Sequence, residues 1–294
     1  MEPCVFIFDI NSNYNRIWSV LTKHGIPSRE LLSAYRNGEP VFCLKPLIDN
    51  VQNEINTLAR MNVINTHIVM VFDPLGGNFR YDLYPDYKSN REAKAPERRR
   101  QEELMYEMFM AMGYPCLRID GYEADDVIGT LSTKLSLHSI KNYIFTGDKD
   151  IMSQCDEHTF IYSGCAKKLY GAREVSLKFN LPPSKVLDYL ALKGDTVDGL
   201  AGAKGIGEKS ATKMLTHFTL NEILENPDII ADLDIRGVKG MVKSLKENKD
   251  DVILMRKLTE LRTDVALGVN LKDLVCKQGS PESFLDGFLL TKTA

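Results

Sequence analysis

The chain has 294 residues, 44% of them hydrophobic, which suffices for one large domain or two modest ones with a real core. A net charge of −3 does not by itself point to a nucleic-acid ligand, and no run of about 18 apolar residues is present to suggest a membrane span. Six dispersed cysteines with no CxxC pair and five scattered histidines argue against a zinc ribbon, a thioredoxin-like redox centre and a His-rich metal site, so a soluble, cytoplasmic protein is expected.

In chain order, "VFIFD" (5–9) is a short apolar run that ends in Asp9. Residues 45–62 carry apolar side chains at helical spacing, at Leu47, Ile48, Val51, Ile55 and Leu58. "THIVMVFD" (66–73) reads as a buried strand and again ends in Asp. The stretch from about 74 to 100 is long for a plain loop, and such loops are commonly functional or mobile. Its Tyr81, Tyr84 and Tyr87 could stack on bases or pack beneath the segment. Its end, "KSNREAKAPERRR" (88–100), holds six basic and two acidic residues, so positive charge is concentrated locally even though the chain is acidic overall. "QEELMYEMFMAMG" predicts a helix closed by Gly113, 114–119 a strand, and "EADDVIGTLSTKLSLH" a helix. Residues 141–147 predict a strand running into Asp148, and 159–164 a further strand. Beyond about 180 the pattern turns helical, and a second basic tract, Arg236–Lys257, has seven basic residues against three acidic.

Strands alternating with helices predict βαβ units around a mostly parallel sheet, and such sheets bind ligands beyond the carboxyl ends of their strands. Asp9, Asp73 and Asp148 each fall at such an end, and Glu123 follows the 114–119 strand closely. One acid at a helix start is ordinarily a cap. Glu123, Asp125 and Asp126 within four residues, followed by Asp148 and Asp150, exceed what capping needs. Two unit charges about 4 Å apart repel by about 4 kcal/mol at an effective dielectric of 20, so a positive partner is expected. Oxygen ligands without His or Cys suit Mg²⁺ or Mn²⁺, and shared carboxylates suit two ions flanking a phosphoryl group. No Ser or Cys beside a His base offers a protein nucleophile.

Asp195 and Asp198 form a further acidic pair, followed by Gly202, Gly205 and Gly207 and by "EKSATKML" at helical spacing. A "GIG" turn opening a helix presents backbone N–H groups to phosphate, and Lys204, Lys209 and Lys213 add charge. This stretch, about 199–217, resembles a helix-hairpin-helix that holds a DNA backbone without reading bases.

The ordered set "FDIN", "VFDPLGGNFR", "YPDYKSNR", "GYEADDVIGTL", "TGDKDIMSQ" and "ALKGDTVDGLAGAKGIGEKSA" is similar to the 5′ nuclease family of flap endonucleases, phage 5′–3′ exonucleases and the 5′ nuclease domain of bacterial DNA polymerase I. The resemblance covers residues 5 to about 215. It implies an α/β fold of PIN/5′ nuclease type, with a mostly parallel central sheet, flanking helices and a helical arch at about 74–105. The catalytic region would span 1–180, and a helical DNA-binding region with the helix-hairpin-helix would span 181–294.

It further implies divalent-metal-dependent hydrolysis of phosphodiester bonds near the 5′ end of flapped, nicked or branched duplex DNA, in replication and repair. Asp73, Glu123 and Asp125 would hold one ion with Asp9 nearby. Asp148, Asp150 and Asp198 would hold the other, with Asp126 and Asp195 acting through water or at the margin. Lys88, Arg91 and Tyr87 would serve the scissile phosphate. Arg80, Lys204, Gly205, Gly207, Lys209, Ser210 and Lys213 would contact DNA, with a K⁺ ion at the hairpin. A monomer that meets a DNA polymerase as a separate partner is expected.

Two positions depart from the family pattern: Ile10 where Gly is usual, and Gly199 where Asn often follows the last Asp. Neither removes a ligand. The competing readings are a non-catalytic DNA-structure binder, a PIN-type ribonuclease, which the helix-hairpin-helix disfavours, and a phosphatase using "DKD", which would need that motif on the first strand.

Overall fold

The structure, a computed structural model, describes residues 2–23, 26–27, 35–36, 39–91, 93–195, 199 and 202–276. Its centre is a six-stranded sheet built from β1 (Cys4–Asp9), β2 (His67–Phe72), β3 (Cys116–Arg118), β4 (Lys141–Phe145), β5 (Thr159–Ser163) and β6 (Lys168–Tyr170). The spatial order is β6-β5-β4-β1-β2-β3. All neighbours run parallel except the hairpin partner β6, which lies antiparallel to β5. Strand β6 was not expected from the sequence, because "KLY" is too short to show a period of two. The 114–119 strand is likewise shorter than its apolar run suggests.

Alternation along the strands divides the core into two chemically different faces. Val5, Ile7, Val69, Val71 and Ile144 point to one side. There they pack on α5 (Ala124–Leu137), in one continuous core with α7 (Val186–Lys193). Phe6, Phe8, Phe72, Tyr143 and Phe145 point to the other, against α1 (Ile10–Leu21), α2 (Leu44–Arg60) and α4 (Pro96–Ala111). The aromatic face is held by ring pairs such as Phe8–Phe145, stacked at 4.0 Å, and Phe6–Phe145, edge-on at 5.1 Å. Each pair adds about 0.5–1.5 kcal/mol beyond the area it buries. Central strands buried on both faces have little freedom to shift register, so the residues at their carboxyl ends are rigidly placed.

Between β2 and α4 lies α3 (Phe79–Leu83), followed by successive turns over residues 84–91. This segment therefore carries regular structure rather than forming a plain loop. Beyond β6 the chain is helical: α6 (Ala172–Phe179), α7, α8 (Glu208–His217), α9 (Leu220–Glu225), α10 (Val238–Glu247) and α11 (Lys249–Thr259). The chain then turns back to the sheet side. Arg262 donates its backbone N–H to Asp126, Val265 donates to Thr130 Oγ1, and Cys276 Sγ lies 3.7 Å from the Gly113 carbonyl. No helix of the described residues is long and apolar enough to cross a membrane.

Candidate active site

Asp9 closes β1 and at the same time caps α1. Its Oδ1 accepts the Ser12 backbone N–H at 2.9 Å and its Oδ2 accepts the Thr146 hydroxyl at 2.7 Å. Asp73 follows the last residue of β2 and accepts the Ala124 N–H at 2.9 Å, while its own N–H is held by Asn11 Oδ1 at 2.9 Å. Asp148 stands three residues past β4, its N–H on Thr146 Oγ1 at 3.1 Å. Asp125 lies in the first turn of α5. Carboxylate oxygens of Asp9, Asp125 and Asp148 come within 4.8 Å of one another. Two strand ends and one helix start thus deliver acids to one point, with Asp73 from a third strand end lining the same cleft, as the parallel topology favours.

The cluster lies in a cleft of about 640 Å³ whose acidic lining comprises Asp9, Asp73, Glu123, Asp125, Asp148, Asp150 and Asp195. Lys88, Arg91, Lys94 and Arg98 line it from the segment after β2. Burial, with the neighbouring Asp148 and Asp73 charges, pushes the Asp9 carboxyl up to about 8. Burial and the charges of Asp148, Asp9 and Glu123 drive Asp125 well above the usual carboxylate range, and burial raises Asp73. These groups resist ionising together unless a cation joins them, and oxygen donors alone select a hard divalent ion. The donor set therefore fits Mg²⁺ or Mn²⁺.

Glu123 differs. Burial works against its charge, but Lys88 and Arg80 beside it hold its pKa below the ordinary value. Lys88 Nζ donates to Oε1 at 2.7 Å, Asn78 Nδ2 donates to the same oxygen at 3.2 Å, and the Tyr87 hydroxyl donates to Oε2 at 3.1 Å. Lys88 reaches this position from a left-handed backbone, φ +56°, uncommon for a residue with a side chain.

Three expectations need correction. Arg80 does not face DNA: it is 2% exposed and grips Asp126 through two hydrogen bonds of 2.6 and 2.8 Å. Two further donors meet the carbonyls of Leu258 and Glu260, and Nη1 also lies 3.4 Å from Glu123 Oε2. Asp126 accordingly turns away from the cleft, fully buried, and also accepts the N–H groups of Glu123 and Arg262. Of the two readings of Tyr87, the structure shows packing: it is 3% exposed and its hydroxyl donates to Glu123, so it does not itself face a scissile phosphate. Asp198 lies outside the described residues. Asn11, Ser12 and Asn15 line the cleft and escaped the sequence reading. Their position just after Asp9 in the first turns of α1 was the available signal.

The two departures from the family pattern are benign. Ile10 is buried in the aromatic core and turns away from the cleft. Gly199 has φ +72°, a region that Asn also tolerates.

In the hairpin stretch, Gly202 lies tightly against the end of α7. Gly202 has φ +64°, and a Cβ there would fall 2.3 Å from the Gly194 nitrogen. Lys204, Gly205, Gly207 and Lys209 are exposed around the start of α8. Ser210 is buried and its hydroxyl accepts the Gly207 N–H at 2.9 Å, so it shapes the turn. Lys213 Nζ donates to the Asp234 carbonyl, tying α8 to the 231–237 loop.

Comparison with known proteins adds to this geometry. Residues 5–180 match the family model described as 5′-3′ exonuclease, N-terminal resolvase-like domain, and 181–282 match 5′-3′ exonuclease, C-terminal SAM fold. The chain is 36% identical over 239 residues to DNA polymerase I of Pseudomonas aeruginosa, covering 81% of this chain and 26% of that one. It thus spans about a quarter of that relative's length. It is 32% identical over 236 residues to the flap endonuclease Xni of Colwellia psychrerythraea, covering 79% of this chain and 78% of that protein. Among solved structures, the T5 D15 protein co-crystallised with metal ions superposes with a TM-score of 0.64 at 19% identity, covering 97% of this chain and 98% of that one. At that identity the likeness speaks for the fold.

Proposed function

The chain belongs to the 5′-3′ exonuclease family, and from that premise we propose that it is a divalent-metal-dependent 5′ nuclease, hydrolysing phosphodiester bonds near the 5′ end of flapped or nicked duplex DNA. The observation that carries the proposal is the convergence of Asp9, Asp125 and Asp148 within 4.8 Å at the carboxyl ends of parallel strands, beneath a row of basic residues. Asp9, Asp73, Asp125, Asp148 and Asp150 would hold Mg²⁺ or Mn²⁺, with Glu123, Asp195 and Asp198 completing the two sites. Such ions neutralise charge on both the attacking and the leaving oxygen of a phosphoryl group.

The chain's own residues supply orientation and charge. Thr146 and Ser12 fix the Asp9 carboxylate and Ala124 that of Asp73, whose backbone N–H Asn11 holds, so these acids are placed before substrate arrives. Lys88, already paired with Glu123, and Arg91 line the cleft where the scissile phosphate would enter, and they stabilise the added negative charge of the transition state. Tyr87 and Asn78 position Glu123 without contacting substrate.

The finer reading assigns residues 1–180 to chemistry, with the arch at about 74–105, and 181–294 to the grip on DNA. Lys204, Gly205, Gly207 and Lys209 would meet backbone phosphates, and a K⁺ ion would sit at the hairpin. The protein would act as a monomer.

The test is cleavage of a 5′-labelled flap duplex with Mg²⁺, with EDTA and with Asp148→Ala, beside an RNA flap of the same sequence. Metal-dependent cuts at the DNA junction, lost in the variant, are expected. Binding without cutting in both Mg²⁺ and Mn²⁺ would leave a DNA-structure binder, and preference for the RNA flap a ribonuclease.

A further inference from the structure

Beside the acidic cleft lies a second pocket of about 210 Å³, between the turn after β4 and helices α6, α7 and α8. Four lysines, Lys149, Lys178, Lys193 and Lys209, line it against a single acid, Glu208. That acid is engaged on two sides. Lys193 Nζ stands 3.3 Å from Glu208 Oε1, and the Tyr189 hydroxyl is hydrogen-bonded to the same carboxylate. Lys149, Lys178 and Lys209 therefore set the pocket's charge. They come from three separate elements, so their convergence is a product of the fold and not of one basic run.

The floor is aromatic. Phe179 and Tyr189 meet edge-on at 5.5 Å, and both are buried. The Lys178 ammonium lies 5.5 Å from the Phe179 ring centre and 5.1 Å from that of Tyr170, and it donates to Met152 Sδ at 3.6 Å, a weak acceptor that a phosphate oxygen would outcompete. Burial, with Lys149 and Lys168 nearby, holds the Lys178 pKa below the ordinary lysine value, in keeping with positive charges crowded around one opening. Lys149 lines both this pocket and the acidic cleft, where it sits between Asp148 and Asp150. Lys209 belongs to the first turn of α8, in the hairpin stretch.

We infer that this pocket is a phosphate subsite for substrate DNA, seating one phosphate of the strand between the hairpin and the acidic cluster. The inference rests on the nuclease reading. It gives that reading a physical link, because a phosphate held by Lys149, Lys178 and Lys209 spans the cleft and the hairpin. Occupancy of the subsite fixes how far from the gripped duplex the cut falls.

The experiment measures binding of the full chain to a fluorescent DNA duplex in EDTA, so that nothing is cut, from 50 to 200 mM salt. The duplex carries either a 5′-phosphate or a 5′-hydroxyl. Lys178→Ala and Lys178→Gln are compared with wild type and with Lys178→Arg, and thermal melting is followed for each. A neutral residue at 178 is expected to lower the slope of log affinity against log salt by about one, while Arg keeps it. Equal loss on both duplexes identifies a backbone phosphate as the occupant, and loss with the 5′-phosphate alone identifies the terminal group. An unchanged slope with both neutral variants overturns the inference. Wild-type cleavage of the flap duplex in Mg²⁺ is run beside it. If wild type cuts while the slopes stay equal, the subsite alone fails; if wild type neither binds nor cuts, the nuclease reading fails with it.

Discussion

Asp125 and Asp126 are adjacent in sequence and do opposite work. Successive residues on a helix do not share a face, so one carboxylate enters the cleft and the other enters the core. Asp125→Asn should remove a ligand and relieve repulsion from Asp148 and Asp9. We expect flap cleavage to fall by at least about 100-fold, since such ions contribute several kcal/mol to the transition state. The metal-free melting temperature should stay level or rise. Asp126→Asn should do the reverse. It removes the bidentate partner of Arg80, 2% exposed, and leaves only the longer 3.4 Å pair with Glu123; breaking a buried pair costs about 3–5 kcal/mol. Calorimetry and a single-turnover assay on the two variants check both signs, and equal melting temperatures would refute the assignment of Asp126 to the core.

At the scale of elements, the hairpin between α7 and α8 depends on Gly202, whose backbone is left-handed and whose missing Cβ makes room for Gly194. Gly202→Ala should destabilise the protein by more than about 1 kcal/mol, read as a lower melting temperature, because both the conformation and the space are wrong for a side chain. The lysines of the hairpin separate by their contacts. Lys204 and Lys209 are exposed, so replacing both by Ala should lower the salt slope of duplex binding by about two. Lys213 is tied to Asp234, and Lys213→Ala should change that slope little. Anisotropy titrations across a salt series separate these outcomes.

At the scale of the whole molecule, acids crowded into one cleft make stability and metal binding depend on pH. Burial and the neighbouring Asp148 and Asp73 charges push the Asp9 carboxyl up to about 8 in the folded chain, against an ordinary value of about 3.8. Between those values the folded state holds a proton that the unfolded state has lost, so metal-free stability falls as pH rises through this window. A divalent ion competes with those protons, so its affinity should rise over the same interval. The expected result is a melting temperature in EDTA that drops from pH 5 to 8, with a gain on adding Mg²⁺ that grows across that range. A gain that is constant with pH would contradict the raised carboxyls.

How much was legible follows from the range of each interaction. Local and periodic signals determined the parallel α/β plan, the acids at the strand ends, the hairpin glycines and the helical character after about residue 180, because alternation, capping and turn chemistry act between near neighbours in sequence. The family resemblance supplied the roles, which spacing could not. Only the tertiary structure decided which acids meet. Asp9, Asp125 and Asp148 converge through strand pairing across more than a hundred residues, while Asp126 is claimed by Arg80 and by the chain returning at Arg262. Arg80 was expected to contact DNA, and the structure places it in the core instead. It is buried because a bidentate carboxylate and two backbone carbonyls, Leu258 and Glu260, replace that water from far along the chain.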